Sequence, residues 1–295
     1  MSDPLIGMQL GDYIVGMRID EGAMGAIYRA FKPTNNNPFV VKVMLAKHSR
    51  DPQFRKRFAR EVALLQTLKH PAIISVLAFG EQEGILYFVM PFISGRSLDS
   101  MLKKTRFSPN MVWSILDPIS QALDYAHAHG VIHRDLKPSN ILIDTSAART
   151  SGEIYPYLAD FGLSKPVDGT VLTEAGVSIG TPHYMAPEQI NGNPITAATD
   201  VYALGVVLYE MLLGRVPFND KSPELVVLKQ IRETPPAPTA LNGDFPPSLE
   251  PVIIKALEKL PEKRYQTAGE MSAAYWQALQ AVDLEDRKQS YAVAK

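Results

Sequence analysis

Apolar residues along this chain fall either in short β-branched and aromatic runs or at helical spacing, and the final third is mostly helical. Tyr13 to Arg29 reads as strand, glycine-bearing turn, strand, with apolar residues on both sides of Gly22 and Gly25. Phe39 to Val43 is a β-branched run centred on Lys42. From Asp51 to Leu68 the spacing of Phe54, Phe58, Val62 and Leu65 predicts a helix. His70 to Gly80 and Ile85 to Ile93 predict two further strands. SGRSLDSML then reads as a turn entering a helix, with Ser97 or Ser94 near its cap. Ser108 to Gly130 predicts a long helix ended by Gly130 and kinked or interrupted at Pro118. Thr199 to Gly205 opens another apolar helix, prolines at Pro217, Pro223, Pro235, Pro236 and Pro238 mark loops, and Ile253 to Leu260 and Thr267 to Ala278 predict the last two helices.

One polar stretch is bracketed by apolar runs on both sides. In VIHRDLKPSNILI, Val131-Ile132 and Ile141-Leu142-Ile143 read as short buried strands around His133, Arg134, Asp135, Lys137 and Asn140. Side chains held that way are fixed, and Pro138 restricts the backbone between them. A carboxylate, a lysine two positions on and an amide three further suit one task. They can accept a hydroxyl proton, steady a migrating phosphoryl group and hold a divalent cation through oxygen. A fragment such as HRD alone reads equally well as a charged surface turn; the full HRDxxxxN spacing is far more specific.

Other stretches carry chemistry of the same kind. Lys42 in a β-branched run is costly to bury without a partner, and Glu61 borders the buried stripe of the Asp51–Leu68 helix, which makes it the candidate partner. An exposed edge-strand lysine is the alternative. Arg55, Lys56, Arg57 and Arg60 on that helix read as a solvated face, one or two of them able to receive a phosphate. Asp160 ends an apolar strand before Phe161-Gly162. Leu163 to Thr181 is polar, hydroxyl-rich and glycine-punctuated, so it reads as a loop. Asp144 to Tyr157 is a loop or hairpin connection without identifiable chemistry. Asp200 is placed either to cap a helix or to hold the backbone of the 133–140 loop from below. His127 and His129 read as surface or helix-end residues, not ligands.

Composition narrows the classes. The 295 residues are long for a single core and comfortable for two lobes. A net charge of -1 gives no general preference for nucleic acid or an anionic membrane. With no cysteine, disulfides, thiolate catalysis and cysteine-ligated metals are excluded, and no HExxH pattern suggests zinc. The amino terminus lacks a signal-peptide pattern, and the apolar run Val201 to Leu213, broken by Glu210, is too short to span a bilayer. A cytoplasmic location is expected, either as such or as the cytosolic part of a longer membrane-bound receptor. The polar tail after Leu279 would suit such a boundary.

The HRDLKPSN loop, the DFG at Asp160-Phe161-Gly162 and the GTPHYMAPE stretch resemble, in order, the motifs of eukaryotic-type serine/threonine protein kinases. GAMGAIYRA and LEPVIIKALEKLPEKRYQT are most similar to bacterial members. The resemblance implies an α+β, two-lobed fold: residues 13–279 as the catalytic domain, a small β-rich lobe to about 92 and a helical lobe from about 93. Residues 1–12 would be an extension and 280–295 a polar tail. It implies transfer of the γ-phosphoryl group of ATP to Ser or Thr of protein substrates, with Mg²⁺, or Mn²⁺ in its place. By resemblance Asp135, Lys137, Lys42 and Glu61 are catalytic, and Asn140 and Asp160 hold the metal. Ile19, Gly22, Gly25, Ile27, Val40, Lys42, Met90, Phe92, Ile93 and Leu142 would line the nucleotide site, with Met24 at the tip of its glycine loop. Glu188 would pair with Arg264, and Thr181 would face the catalytic residues. Thr173, with Thr170 and Ser178 behind it, is the candidate for phosphorylation, pairing with Arg134 and acting in a transient homodimer. Two departures stand out: Asp20 replaces the first glycine of GxGxxG, and Pro91 removes a backbone donor where the base edge would lie. They support the alternative of a nucleotide-binding scaffold without turnover. A small-molecule kinase is the other alternative, against which the peptide-docking stretch argues.

Overall fold

The computed structural model describes residues 3–22, 25–45, 49–146, 154–161 and 182–293. They divide into two compact units, Met1–Ser94 and Gly95–Lys295. In the first, β1 (Gln9–Leu10), β2 (Tyr13–Gly22), β3 (Gly25–Lys32), β4 (Asn35–Met44), β5 (Ala78–Gln82) and β6 (Ile85–Pro91) form one sheet in the order β1-β2-β3-β4-β6-β5. Residues paired directly across strands share a face. The registers Tyr28↔Val41↔Val89 and Ala26↔Val43↔Tyr87 put six apolar side chains on one face, where Leu10, Tyr13 and Val15 join them in a buried core. The alternate registers, Ile27↔Lys42↔Phe88 and Arg29↔Val40↔Met90, make the other face.

Helix α1 (Pro52–Thr67) packs on that second face through Phe58, its ring 6.3 Å from Phe88. Asp51 starts the helix by accepting from the Gln53 amide at 2.9 Å, and the buried positions are Phe54, Phe58, Val62 and Leu65, as the spacing predicts. The strand expected from His70 to Gly80 is shorter, because His70 folds the residues after it into a turn. Its Nδ1 accepts from the Ala72 amide and its carbonyl from the Ile73 amide, both at 3.1 Å.

The second unit has a three-stranded sheet, β7 (Gly95–Ser97), β8 (Ile141–Asp144) and β9 (Tyr155–Leu158), in the order β7-β8-β9. Ser97 caps α2 (Leu98–Leu102). Helix α3 (Pro109–Ala128) continues through Pro118, where an interruption or kink is expected. The missing N–H is offset by the burial of Ile115, Leu116 and Ile119 around it. Gly130, at φ +74, turns the chain into the 133–140 loop. After α4 (Pro187–Asn191) comes α5 (Ala197–Leu213), buried on nearly every side as an all-round apolar helix must be. Helices α6 (Pro223–Arg232), α7 (Pro238–Leu241), α8 (Glu250–Ala256) and α9 (Ala268–Gln280) follow, and α3, α8 and α9 pack on α5. Pro251 at its first turn starts α8 three residues before the expected Ile253, and the helix stops at Ala256, short of Leu260.

Residues 281–293, within the expected polar tail, pack back on the second unit. Tyr291 is 2% exposed, its ring edge-on to Phe245 and its carbonyl accepting from Asn242 Nδ2 at 3.0 Å, while the Val293 amide donates to Leu213. The apolar residues Val282 and Tyr291 among charged neighbours drive this docking.

Candidate active site

The 133–140 loop is positioned from below by Asp200, in the first turn of α5 and 1% exposed. Asp200 Oδ2 accepts from the His133 amide at 2.7 Å, Oδ1 accepts from the Arg134 amide at 2.9 Å, and His127 Nε2 lies 2.7 Å from Oδ2. Of the two structural roles open to Asp200, it performs the support of the loop's backbone. Burial alone would raise its pKa, but the His127 side chain and the His133 amide hold it below 3.8. His127 is at the end of α3 as expected, yet it is not a surface residue, with its side chain 11% exposed. His129 is exposed and bonds back to the Tyr125 carbonyl.

His133 is fully buried. Its Nδ1 accepts from the Asp135 amide at 3.3 Å, which assigns the ring proton to Nε2, 2.9 Å from the Ala159 carbonyl. Burial lowers its pKa below 6.5, keeping the ring neutral. The fold therefore binds fewer protons than the unfolded chain as pH falls through 6.5, and Asp200 adds to this below 3.8. The thermal midpoint is expected to fall on acidification from about pH 7 to pH 5, first through His133. A midpoint that rises over that range in a melting series at constant ionic strength would contradict this.

Asp135 is held from three sides. Lys137 Nζ lies 2.8 Å from its Oδ2; Asn140 Nδ2 donates to its carbonyl at 2.8 Å and to Oδ2 at 3.2 Å. A carboxylate so oriented can take a hydroxyl proton, with a cation beside it to meet negative charge. Because Asn140 spends its nitrogen on Asp135, its Oδ1, which accepts from Ser139 Oγ at 3.4 Å, is the end left for a cation. The Asn140 carbonyl accepts from the Ala159 amide at 2.9 Å, tying the loop to the residue before Asp160. Asp160 has φ +53 and Arg134 φ +63, left-handed conformations that persist only where the surroundings enforce them. The Phe161 ring lies tilted against His133, its centroid 4.7 Å away. Amide and carboxylate oxygens are hard donors, so the chemistry of Asn140 and Asp160 fits a hard divalent cation.

In the first unit, Ile27, Val40, Lys42 and Met90 share the sheet face that α1 covers. Lys42 Nζ lies 6.0 Å from the Phe88 ring centroid, and half-buried Glu61 is one turn from Phe58, which packs on the same ring. Ile19 is exposed on β2; Phe92 and Ile93 follow β6, with Arg29 4.7 Å over the Phe92 ring. Gly22 pairs with Gly25, and a Cβ on Gly25 would overlap the Val43 carbonyl oxygen, so this glycine is required by the β3–β4 approach. Asp20, opposite Ile27, spends Oδ1 on the Glu21 amide at 2.8 Å. Leu142 lies on β8, opposite Ser97 and Tyr157. Met24, Gly162, Thr170, Thr173, Ser178 and Thr181 lie outside the described residues.

Glu188 and Arg264, both 3% exposed, form the expected pair, two-pronged at 2.7 and 2.8 Å. Two supports have no counterpart among the sequence expectations. Gln189 Nε2 donates to the Arg134 carbonyl at 2.8 Å, and Gln230, fully buried, donates to the His183 carbonyl in the turn Pro182–Tyr184. Burial and Glu210 push the Tyr184 phenol up, with its hydroxyl 2.6 Å from Glu210 Oε2.

The sequence model of the protein kinase domain matches residues 13–276. The chain is 34% identical over 282 residues to serine/threonine-protein kinase PknH of Mycobacterium bovis, covering 95% of this chain and 46% of that one. It is 38% identical over 268 residues to serine/threonine-protein kinase PknB of Mycolicibacterium smegmatis, covering 88% and 42%. It thus spans less than half the length of these relatives. The crystal structure of the Mycobacterium tuberculosis PknI kinase domain superimposes with a TM-score of 0.73 at 27% identity, covering 92% of this chain and 98% of that one. A match over nearly the whole chain makes this protein a member of the protein kinase domain family.

Proposed function

We propose that the protein is a serine/threonine protein kinase that moves the γ-phosphoryl group of ATP to protein hydroxyls. The observation that carries the reading is the setting of Asp135: Lys137 and Asn140 on its carboxylate, and Asp200 under its loop. Asp135 orients the acceptor hydroxyl and takes its proton. Lys137 stands beside it to meet charge on the migrating group. Asn140 and Asp160 would hold Mg²⁺, which supplies charge neutralisation at the phosphates. In the first unit, Lys42, paired with Glu61, would take the α and β phosphates; Ile19, Ile27, Val40, Met90, Phe92 and Ile93 would take the base, with Gly22 and Gly25 near the phosphates. Lysine at Lys137 supports serine and threonine over tyrosine as acceptors.

Residues 13–279 form the catalytic domain in this reading. Autophosphorylation at Thr173, or at Thr170 or Ser178, within a transient homodimer would pair the new phosphate with Arg134. Among the described residues no helix is long and apolar enough to cross a membrane, and a cytoplasmic site of action fits the acceptors proposed. The test is phosphoamino-acid analysis of a general protein acceptor incubated with the protein, Mg²⁺ and γ-labelled ATP. Label on serine and threonine is expected; label confined to tyrosine, or to a small molecule, would overturn the assignment.

A further inference from the structure

The peptide between Arg134 and Asp135 is clamped at more points than its family signature explains. Arg134 has a left-handed φ of +63, a conformation that a residue with a side chain keeps only when neighbouring groups hold it. Asp200 holds its amide at 2.9 Å. Its carbonyl, in the same peptide plane as the Asp135 nitrogen, accepts from Gln189 Nε2 at 2.8 Å. Gln189 is the third residue of α4, and its Oε1 accepts from the Ala186 amide at 3.0 Å, closing the helix start. One amide group thus joins two jobs: its oxygen caps α4 and its nitrogen fixes the plane that carries the proton acceptor.

We infer that Gln189 is a positioning residue for the phosphoryl-transfer reaction, aiming Asp135 through the Arg134 carbonyl. The inference rests on the kinase reading above. Gln189 acts through the backbone of Arg134. It also links the segment that follows residue 181 to the proton acceptor, so the placement of α4 and the aim of Asp135 are set together.

The two jobs can be separated by chemistry. Gln189→Glu keeps an oxygen for the Ala186 amide, and glutamate is a preferred residue at this helix position, but an ionised carboxylate cannot donate to a carbonyl. Gln189→Met keeps the length and loses both bonds. With the full chain, ATP, Mg²⁺ and a general protein acceptor, Gln189→Glu is expected to lower kcat about tenfold, the worth of one hydrogen bond realised at the reacting geometry. Its KM for ATP should stay within about twofold and its melting midpoint within about 2 °C of wild type, because the cap survives. Gln189→Met should show a similar loss of kcat and a lower midpoint. Gln189→Glu with wild-type kcat, or with kcat reduced only in step with a lowered midpoint, overturns the inference while leaving the kinase reading intact. No transfer by the wild-type protein overturns the kinase reading, and the inference with it.

Discussion

Replacing Asp135 by asparagine should remove most turnover and leave ATP binding nearly unchanged. The side chain keeps its shape, so the packing of the loop on Asp200 and the contact of the Asp135 carbonyl with Asn140 persist. What is lost is the capacity to accept the acceptor's proton and the negative charge that Lys137 meets at 2.8 Å. Groups of this kind contribute about 10²- to 10⁴-fold to rate, and kcat should fall by that order. The nucleotide's binding groups in this account are elsewhere, on Lys42 and the residues around it. ATP affinity measured by calorimetry on wild type and Asp135→Asn should therefore agree within a few-fold. Affinity and kcat falling together would assign Asp135 to binding and contradict its role as proton acceptor.

The largest effect on stability is expected at Glu188 and Arg264. Their two-pronged pair is closed to solvent, and the remaining donors and acceptors are also used. Thr199 Oγ1 donates to Glu188, while Arg264 donates to the carbonyls of Ala198, Glu258 and Lys259. Changing Arg264 to methionine leaves the Glu188 carboxyl buried without its cation, with Thr199 as its remaining side-chain partner among the described residues, at a cost of about 3–5 kcal/mol. At roughly 2–4 °C per kcal/mol for a unit of this size, the melting midpoint should fall by on the order of 10 °C. Adding Glu188→Gln to Arg264→Met should recover part of the loss, since no buried charge remains uncompensated. An Arg264→Met protein that melts with the wild type would mean that the pair contributes nothing net. Because Glu188 immediately precedes Gln189, the same pair anchors the helix whose next residue reaches the catalytic loop.

The parts of this architecture that the sequence displays are those with a local period or a fixed spacing. Phe54, Phe58, Val62 and Leu65 announce α1, the β-branched run Phe39–Val43 announces β4, and HRDxxxxN places Asp135, Lys137 and Asn140 within a single loop. Contacts between distant residues leave no such trace. Asp200 is 66 positions from Arg134 and Gln189 is 55, and neither distance carries a periodic signal. Asp200 at a helix start suits a cap as well as a backbone support, and only the fold distinguishes them. His127 is demoted by its position near a helix end in AHAHG, although the chain's return through α5 puts a buried carboxylate against it. The turn at His70 depends on a ring nitrogen accepting from the amide two residues on, where the apolar content alone predicts strand. The docking of Tyr291 is hidden by charged neighbours that lower the apparent hydrophobicity of the segment it anchors.

Transfer of phosphate to serine or threonine by the Asp135 constellation can be read from intact mass. Wild type and Asp135→Asn are incubated side by side with ATP and Mg²⁺, and the sites of any added phosphate are mapped. Phosphate is expected on serine or threonine of the wild type, with Thr170 to Ser178 the first place to look, and none on Asp135→Asn. Equal incorporation in both proteins, or none in a folded wild type that binds ATP, would contradict it.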